Sequence, residues 1–483
     1  MEILWTGDFI KSSPLIQVIF PALVRTSCCR YILGFFLLLG GLGCSVGWTP
    51  GKLPPRRQMI SFCWITFGFG LKDKTDFAKV TAVRSLGRIG TREAIELIAT
   101  GDYKWKPTLI RTVTSTLAQI SDSASFRALL YFGRTNDLVA RENVVVGIAR
   151  MNSLYPDSMV ARILRKMLVD VDSTIADTLL YSKEEIEHER ARLKTHIAIA
   201  LSRVHDASAR SYLAGMDVNP DWVFRSSVVK TIGELNPPGA TEMLSRFLSD
   251  SSVYVRTRTL EALAKIRPEN LAAILSEKMQ TDPSEGVRIQ AAIELMPLEE
   301  ATAVRFLLPL ADGYDEDSQS KILLALGDTQ DSSLYPSIIE KALPLASHPQ
   351  ELVRLSAVAC LGGMRDTSLI PVFRNALGDK SQEVRELAVG ILARLRGTAM
   401  FEQLRTLARD EIYSMRAVAI SGLGTFEDST FLYQKALPII VDRMKNDEDI
   451  LVRIRAAFTT FDVLNDQQFT KPKKQEIDYE AIN

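Results

Sequence analysis

Between about residue 72 and about residue 466 the apolar residues of this chain fall at steps of three and four, and the pattern then repeats itself. In the segment Val255-Arg256-Thr257-Arg258-Thr259-Leu260-Glu261-Ala262-Leu263-Ala264-Lys265-Ile266 they line one side of a helix. The frame returns as Phe224-Arg225 running to Ile232-Gly233-Glu234-Leu235, as Val287-Arg288 with Ala291 and Leu295, and as Val353-Arg354 with Ala357 and Leu361. It returns again as Val384-Arg385 with Ala388 and Leu392, as Met415-Arg416 with Ala419 and Leu423, and as Val452-Arg453 with Ala456. Weaker copies begin at Ala78, Leu109, Ala140, Leu193 and Ser318, which makes twelve.

The steps between these anchors are 31, 31, 53, 31, 31, 32, 31, 35, 31, 31 and 37 residues. Such a period holds two short helices: about 13 residues of first helix, a turn such as Asn236-Pro237-Pro238-Gly239, then a second apolar-striped stretch such as Ala240 to Leu248. One hairpin of this size cannot bury its own stripe, so neighbours must stack into a continuous core. The expectation is an all-α, right-handed α-α superhelix of about twelve hairpins, running as an elongated stack.

The pattern Val-Arg-x-x-Ala-x-x-Ala-Leu-Gly-x-Ile resembles the first helix of HEAT repeats, and the 31-residue period resembles the short bacterial subtype associated with phycobilisome lyases. The resemblance covers roughly 395 of 483 residues and implies a HEAT/armadillo-like solenoid. For function it implies less, since the family spans scaffolds, adaptors and a few enzymes.

A basic residue follows the anchor in ten copies, among them Arg225, Arg256, Arg288, Arg354, Arg385, Arg416 and Arg453. Five residues before the anchor stands Asp73, Asp250, Asp282, Asp379, Asp410 or Asp447 in six. An aspartate at a helix start can cap free N–H groups and pair with an arginine of the neighbouring repeat, so the two series predict a structural ladder. The second helices are expected to line the concave side, where Arg246, Lys278, Arg374 and Arg405 are candidates for contacting a partner.

The 53-residue step implies an insertion near 170–189, whose charged run Ser182-Lys183-Glu184-Glu185-Ile186-Glu187-His188-Glu189-Arg190 either lengthens the next first helix or projects from the stack. Glu185 and His188 have the Glu-x-x-His spacing of carboxylate-bridged metal sites, but no second copy accompanies them. No metal and no cofactor is expected. Fifty-eight basic residues against 58 acidic remove the long-range attraction that phosphate binding relies on, which argues against a nucleic-acid partner.

Four of five cysteines precede the repeats. No charged residue interrupts the stretch between Arg30 and Lys52, and its densest part, Tyr31 to Leu42, ends shortly before Cys44-Ser45. After an uncertain leader (1–30), residues 31–48 read as a secretory signal resembling a bacterial lipobox with Cys44 lipidated, as a membrane span, or as the product of a start codon set too early. Residues 49–71 read as a proline-containing linker followed by an apolar cap for the first repeat, and 467–483 as a polar tail. The leading expectation is a non-enzymatic scaffold or adaptor, membrane-tethered as an exported bacterial lipoprotein, or cytoplasmic if the N-terminal segment is no signal. The alternative is an accessory or lyase-like enzyme. An enzyme should gather a compact polar cluster on one or two adjacent repeats, and a scaffold should present an extended, mixed face.

Overall fold

The computed structural model describes residues 53–465 apart from 102, 104, 105, 136, 173–181, 207, 208, 214 and 314. The leader, the apolar stretch 31–48 with Cys44, the middle of the 170–189 insertion and the tail 467–483 lie outside the described residues. The described residues from Pro54 onward belong to one compact unit. No strand occurs among the described residues, and no helix there is long and apolar enough to cross a membrane.

All twelve anchors fall in helices. Asp76–Ile89, Pro107–Ala118, Leu138–Arg150, Trp222–Leu235, Val253–Ile266 and Glu285–Leu295 each begin two residues before their anchor. So do Glu316–Gly327, Glu351–Gly363, Gln382–Arg396, Tyr413–Leu423 and Ile450–Asn465. This common start has a local cause. The anchor is the first residue whose side chain turns into the core, and the backbone N–H groups ahead of it are met by side-chain caps. Asp137 accepts from Ala140 N at 2.7 Å, Asp221 from Val223 N at 2.9 Å and Asp315 from Ser318 N at 2.9 Å. The exception is Lys183–Arg203, which begins ten residues before Leu193. The charged run thus adds eight residues to the front of that helix, about 12 Å at 1.5 Å per residue. A capping box fixes its start, with Glu185 N donating to Ser182 Oγ at 3.2 Å and Ser182 N donating to Glu185 Oε2 at 2.6 Å.

Consecutive first helices approach so closely that small residues are required. An added Cβ on Gly233 would stand 2.7 Å from Ala262 Cβ, and one on Gly327 2.7 Å from Cys360 Cα. Gly87 faces Thr116, Gly362 faces Ile391 and Gly424 faces Thr459 in the same way. In each pair the glycine is nine residues past its anchor and the partner seven past the next anchor. The second helices, such as Ala240–Ser245 and Phe401–Leu407, are shorter and expose more of their circumference. Helices spaced this tightly belong to the inside of a curved array, so the expectation that second helices line the concave side is corrected: that side belongs to the first helices. Their exposed stripe lies one residue before the anchor and three, six and ten after it, as in Tyr254, Arg258, Glu261 and Lys265.

The two ends of the array meet, so that it closes on itself. Helix Arg56–Leu71 packs along Ile450–Asn465, with Trp64 and Phe461 ring centroids 5.1 Å apart and Arg56 Nη2 donating to Leu464 O at 2.7 Å. Cys63 Sγ lies 3.7 Å from Met444 Sδ, and Phe67 is fully buried. A Cβ on Gly70 would stand 2.7 Å from Ile454 Cδ1 and 3.0 Å from Ala82 Cβ, so this turn is wedged between the first helices of the last repeat and the first. Arg88 lies 4.7 Å above the Phe458 ring across the same seam. The apolar segment Met59 to Leu71 therefore covers the first repeat and also stands as the second helix of the twelfth, whose hairpin is assembled from the two ends of the array.

Candidate functional site

The ladder residues come together as pairs between neighbours. Arg225 reaches Asp250 at 2.7 Å, Arg256 reaches Asp282 at 2.9 Å, Arg354 reaches Asp379 at 2.9 Å and Arg416 reaches Asp447 at 3.0 Å. Each is bidentate, through Nε and Nη2 to the two carboxylate oxygens. The remaining nitrogen closes the arginine's own turn, as Arg256 Nη1 does on Asp250 O at 2.8 Å. Each aspartate also caps the turn it begins: Asp250 accepts from Ser252 N at 2.8 Å and Asp379 from Ser381 N at 2.7 Å. The Arg354 hydrogen bond holds Asp379 below the usual carboxylate range. Burial pushes Asp282 up, but the bonds from Arg256 and Ser284 outweigh it and leave the carboxyl lowered.

Two predicted rungs do not form. Arg288 and Arg385 donate to the carbonyls of their own turns, Asp282 O at 2.9 Å and Asp379 O at 2.6 Å. Gly313 stands where Arg288 would need its aspartate, and Asp410 caps Ile412 N at 2.9 Å without an ion pair to Arg385. Arg453 lies near enough to Asp73 to help lower its pKa, behind the larger effects of the Thr75 hydrogen bonds.

An exposed apolar cluster of the repeats sits beside the lengthened helix. Trp222 and Tyr254 stack with centroids 5.1 Å apart at 25°. Their exposures of 44% and 69%, with Val223 at 43% and Val253 at 40%, make a contiguous plate at the start of two successive first helices. Folding alone gives no reason for such a plate to face solvent. Asp221, which caps the Trp222 helix, accepts from His188 Nε2 at 2.8 Å, and the His188 ring meets Phe224 edge-on at 6.0 Å. His188 in turn lines a cleft of about 390 Å³ with Glu184, Glu185 and Glu189. The aromatic plate and the acidic end of the projecting helix are thus neighbours.

Below the cleft is a compact polar cluster on adjacent repeats. Arg192 Nε lies 2.7 Å from Glu142 and its other end pairs with Glu189. Burial raises Glu189 above the usual range, with Arg192 opposing. His196 is buried, its Nε2 3.3 Å from Ser227 Oγ and its Nδ1 3.6 Å from Glu142 with no hydrogen-bond partner. Burial pushes this imidazole down, and the Glu142 carboxylate opposes the shift. Among the described residues no His, Cys, Asp and Glu group has the geometry of a metal site.

The four second-helix cations occupy the outer layer. Arg246, just past Ala240–Ser245, is exposed, as are Arg374 in Ile370–Ala376 and Arg405 in Phe401–Leu407, while Lys278 in Leu271–Thr281 is half-buried. Arg405 pairs with Glu402 at 2.7 Å. Nothing brings these residues together into one site.

Residues 209–296, 339–424 and 370–459 match the family model of HEAT repeats. These segments are similar to HEAT repeats, and the described residues outside them also form helical hairpins. Solved structures similar to it include the Escherichia coli protein YibA, at 17% identity over 59% of this chain and 97% of that one, with a TM-score of 0.37. An engineered protein aligns at 14% identity over 85% of this chain and 99% of its own, with a TM-score of 0.29. The complex of CpcE and CpcF of phycocyanin lyase from Nostoc sp. PCC7120 aligns at 17% identity over 53% of this chain and 94% of that chain, with a TM-score of 0.26. No curated protein matches the chain.

Proposed function

We propose that this chain is a protein-interaction scaffold that holds a partner against the rim and inner side of its HEAT array, tethered to a membrane through its N-terminal segment. The observation that carries the reading is the solvent-facing Trp222–Tyr254 stack with Val223 and Val253. Exposed tryptophan and tyrosine supply large contact area at small entropic cost, and such residues dominate binding energy where they occur. The projecting helix beside them, stiffened by its capping box, gives the plate a rigid acidic wall. A pull-down with the full chain tests the reading. Trp222→Ala with Tyr254→Ala should lose the partner while circular dichroism and melting stay unchanged, and undiminished capture would remove the plate from the interface.

The compact cluster around Glu189 supports a second reading, an accessory or lyase-like enzyme, because a buried carboxyl with a raised pKa is a form of general acid. Its geometry favours a structural part: Arg192 is held between two carboxylates and His188 is held by Asp221. Glu189→Gln separates the readings. A scaffold keeps its partner in that variant, whereas an enzyme loses turnover of the client recovered with it.

A further inference from the structure

The exposed stripe of the first helices carries a charge that the whole chain does not. At three, six and ten residues past the twelve anchors there are ten basic side chains against four acidic, in a chain whose net charge is zero. Over the middle repeats part of this excess is paired internally, Lys230 with Glu234 at 3.8 Å and Arg258 with Glu261 at 3.1 Å. At the seam it is not. Arg84 and Arg88 of the first repeat and Arg455 of the last are exposed, and none has a carboxylate within ion-pair distance among the described residues. Arg88 lies on the Phe458 ring, one turn along from Arg455. Asp462, a further turn on, pairs with neither. The flanking stripes, Thr112, Ser115 and Gln119 on one side and Val418, Ser421 and Thr425 on the other, carry no charge.

Closure forces these cations together. Arg88 and Arg455 are far apart in sequence and become neighbours only because the Ile450–Asn465 helix packs beside Asp76–Ile89. Crowding by neighbouring atoms and the Arg88 charge both disfavour the Arg455 cation, although its side chain still reaches solvent. Uncompensated like charges held on a rigid frame raise the free energy of the empty site and lower it again when an anion arrives.

We infer that Arg84, Arg88 and Arg455, with the Phe458 ring beside them, form an anion-binding patch on the inner side of the array that receives an acidic segment of the partner protein. The inference rests on the scaffold reading and supplies the chemistry of what is held. A polypeptide fits better than a nucleic acid. The exposed stripe mixes its cations with Phe77, Leu324 and Phe458, and three arginines give too few phosphate contacts for a chain without net positive charge.

The test uses the full chain and labelled probes: a glutamate-rich peptide, a lysine-rich peptide of equal length, a single-stranded oligonucleotide and inorganic phosphate. The glutamate-rich peptide should bind best, weaken as salt rises, and lose about tenfold or more in affinity in the Arg88→Gln, Arg455→Gln double variant. The Arg88→Lys, Arg455→Lys variant keeps the charge and should keep most of the affinity. Because the two cations repel, the glutamine variant should melt no lower than the parent, so lost binding cannot be put down to lost folding. Tighter binding of the oligonucleotide, tightest binding of phosphate alone, or equal peptide affinity in the glutamine variant would overturn the assignment. If the peptide does not bind while the pull-down partner is still captured through Trp222 and Tyr254, the patch is wrong and the scaffold reading stands. Loss of the partner from the Trp222, Tyr254 variant speaks only to that reading.

Discussion

Arg256 and Arg385 hold the same place in their repeats and have different neighbours. Arg256 is buried and grips Asp282 with two nitrogens, so Arg256→Ala leaves a buried carboxylate alone and should cost about 3 to 5 kcal/mol in denaturant unfolding. Arg385 reaches only carbonyls of its own turn, and Arg385→Ala should cost about 1 kcal/mol. Equal losses would mean that the inter-repeat pair adds nothing. The same pairs set the acid limit. The folded pKa values of Asp250, Asp282 and Asp379 lie below the unfolded value of about 3.9, so the stability they contribute is full above about pH 4 and is lost as pH falls through their folded values. Melting temperature should therefore drop below about pH 4, and less steeply in Asp282→Asn. The ladder was legible in sequence because both partners keep a fixed offset from the anchor. The missing rungs were legible only in part: Gly313 announces one, but the failure of Arg385 to reach Asp410 depends on how the two repeats pack.

At the scale of the element, the glycines of the first helices divide by what faces them. Gly327 leaves no room for a Cβ beside the Cys360 backbone, and Gly327→Ala should cost about 1 to 3 kcal/mol. Gly390 has nothing within 4 Å, and Gly390→Ala should be neutral or stabilise by up to about 1 kcal/mol through helix propensity. Urea unfolding of the two variants checks the contrast, and a loss at both positions would show that the close approach is not the cause. The first helices were readable from their anchors, since burial periodicity and capping agree there. The plate was not. Trp222 and Tyr254 occupy slightly different places in copies one step apart, and only the lateral packing of their helices stacks the rings. The inner and outer layers were likewise misassigned, because amphipathic stripes show which face is buried and not which way the array curves.

At the scale of the whole molecule the closing contact governs stability. Phe67→Ala should cost about 3 to 5 kcal/mol, and hydrogen exchange should speed up together in 76–89 and 450–465. Faster exchange in the first segment alone would mean that the last repeat does not depend on the contact. Closure had no signature in the repeat period, since it depends on a helix that lies outside the period and on the sum of twelve small rotations. The proposed tether is tested separately. Cys44→Ala should abolish incorporation of labelled fatty acid and release the protein from membranes, and membrane retention without lipid would favour a span. The closed array also places a constraint on how this chain can change. In an open stack, one more hairpin or one fewer leaves every neighbouring interface as it was, so copy number drifts freely. Here the last first helix must arrive beside the first one at the angle that admits Arg56–Leu71 between them. Gain or loss of a single 31-residue unit would have to be absorbed by all the remaining turns at once. Relatives that keep the seam should therefore vary in loops and in the projecting helix while their number of repeats stays fixed.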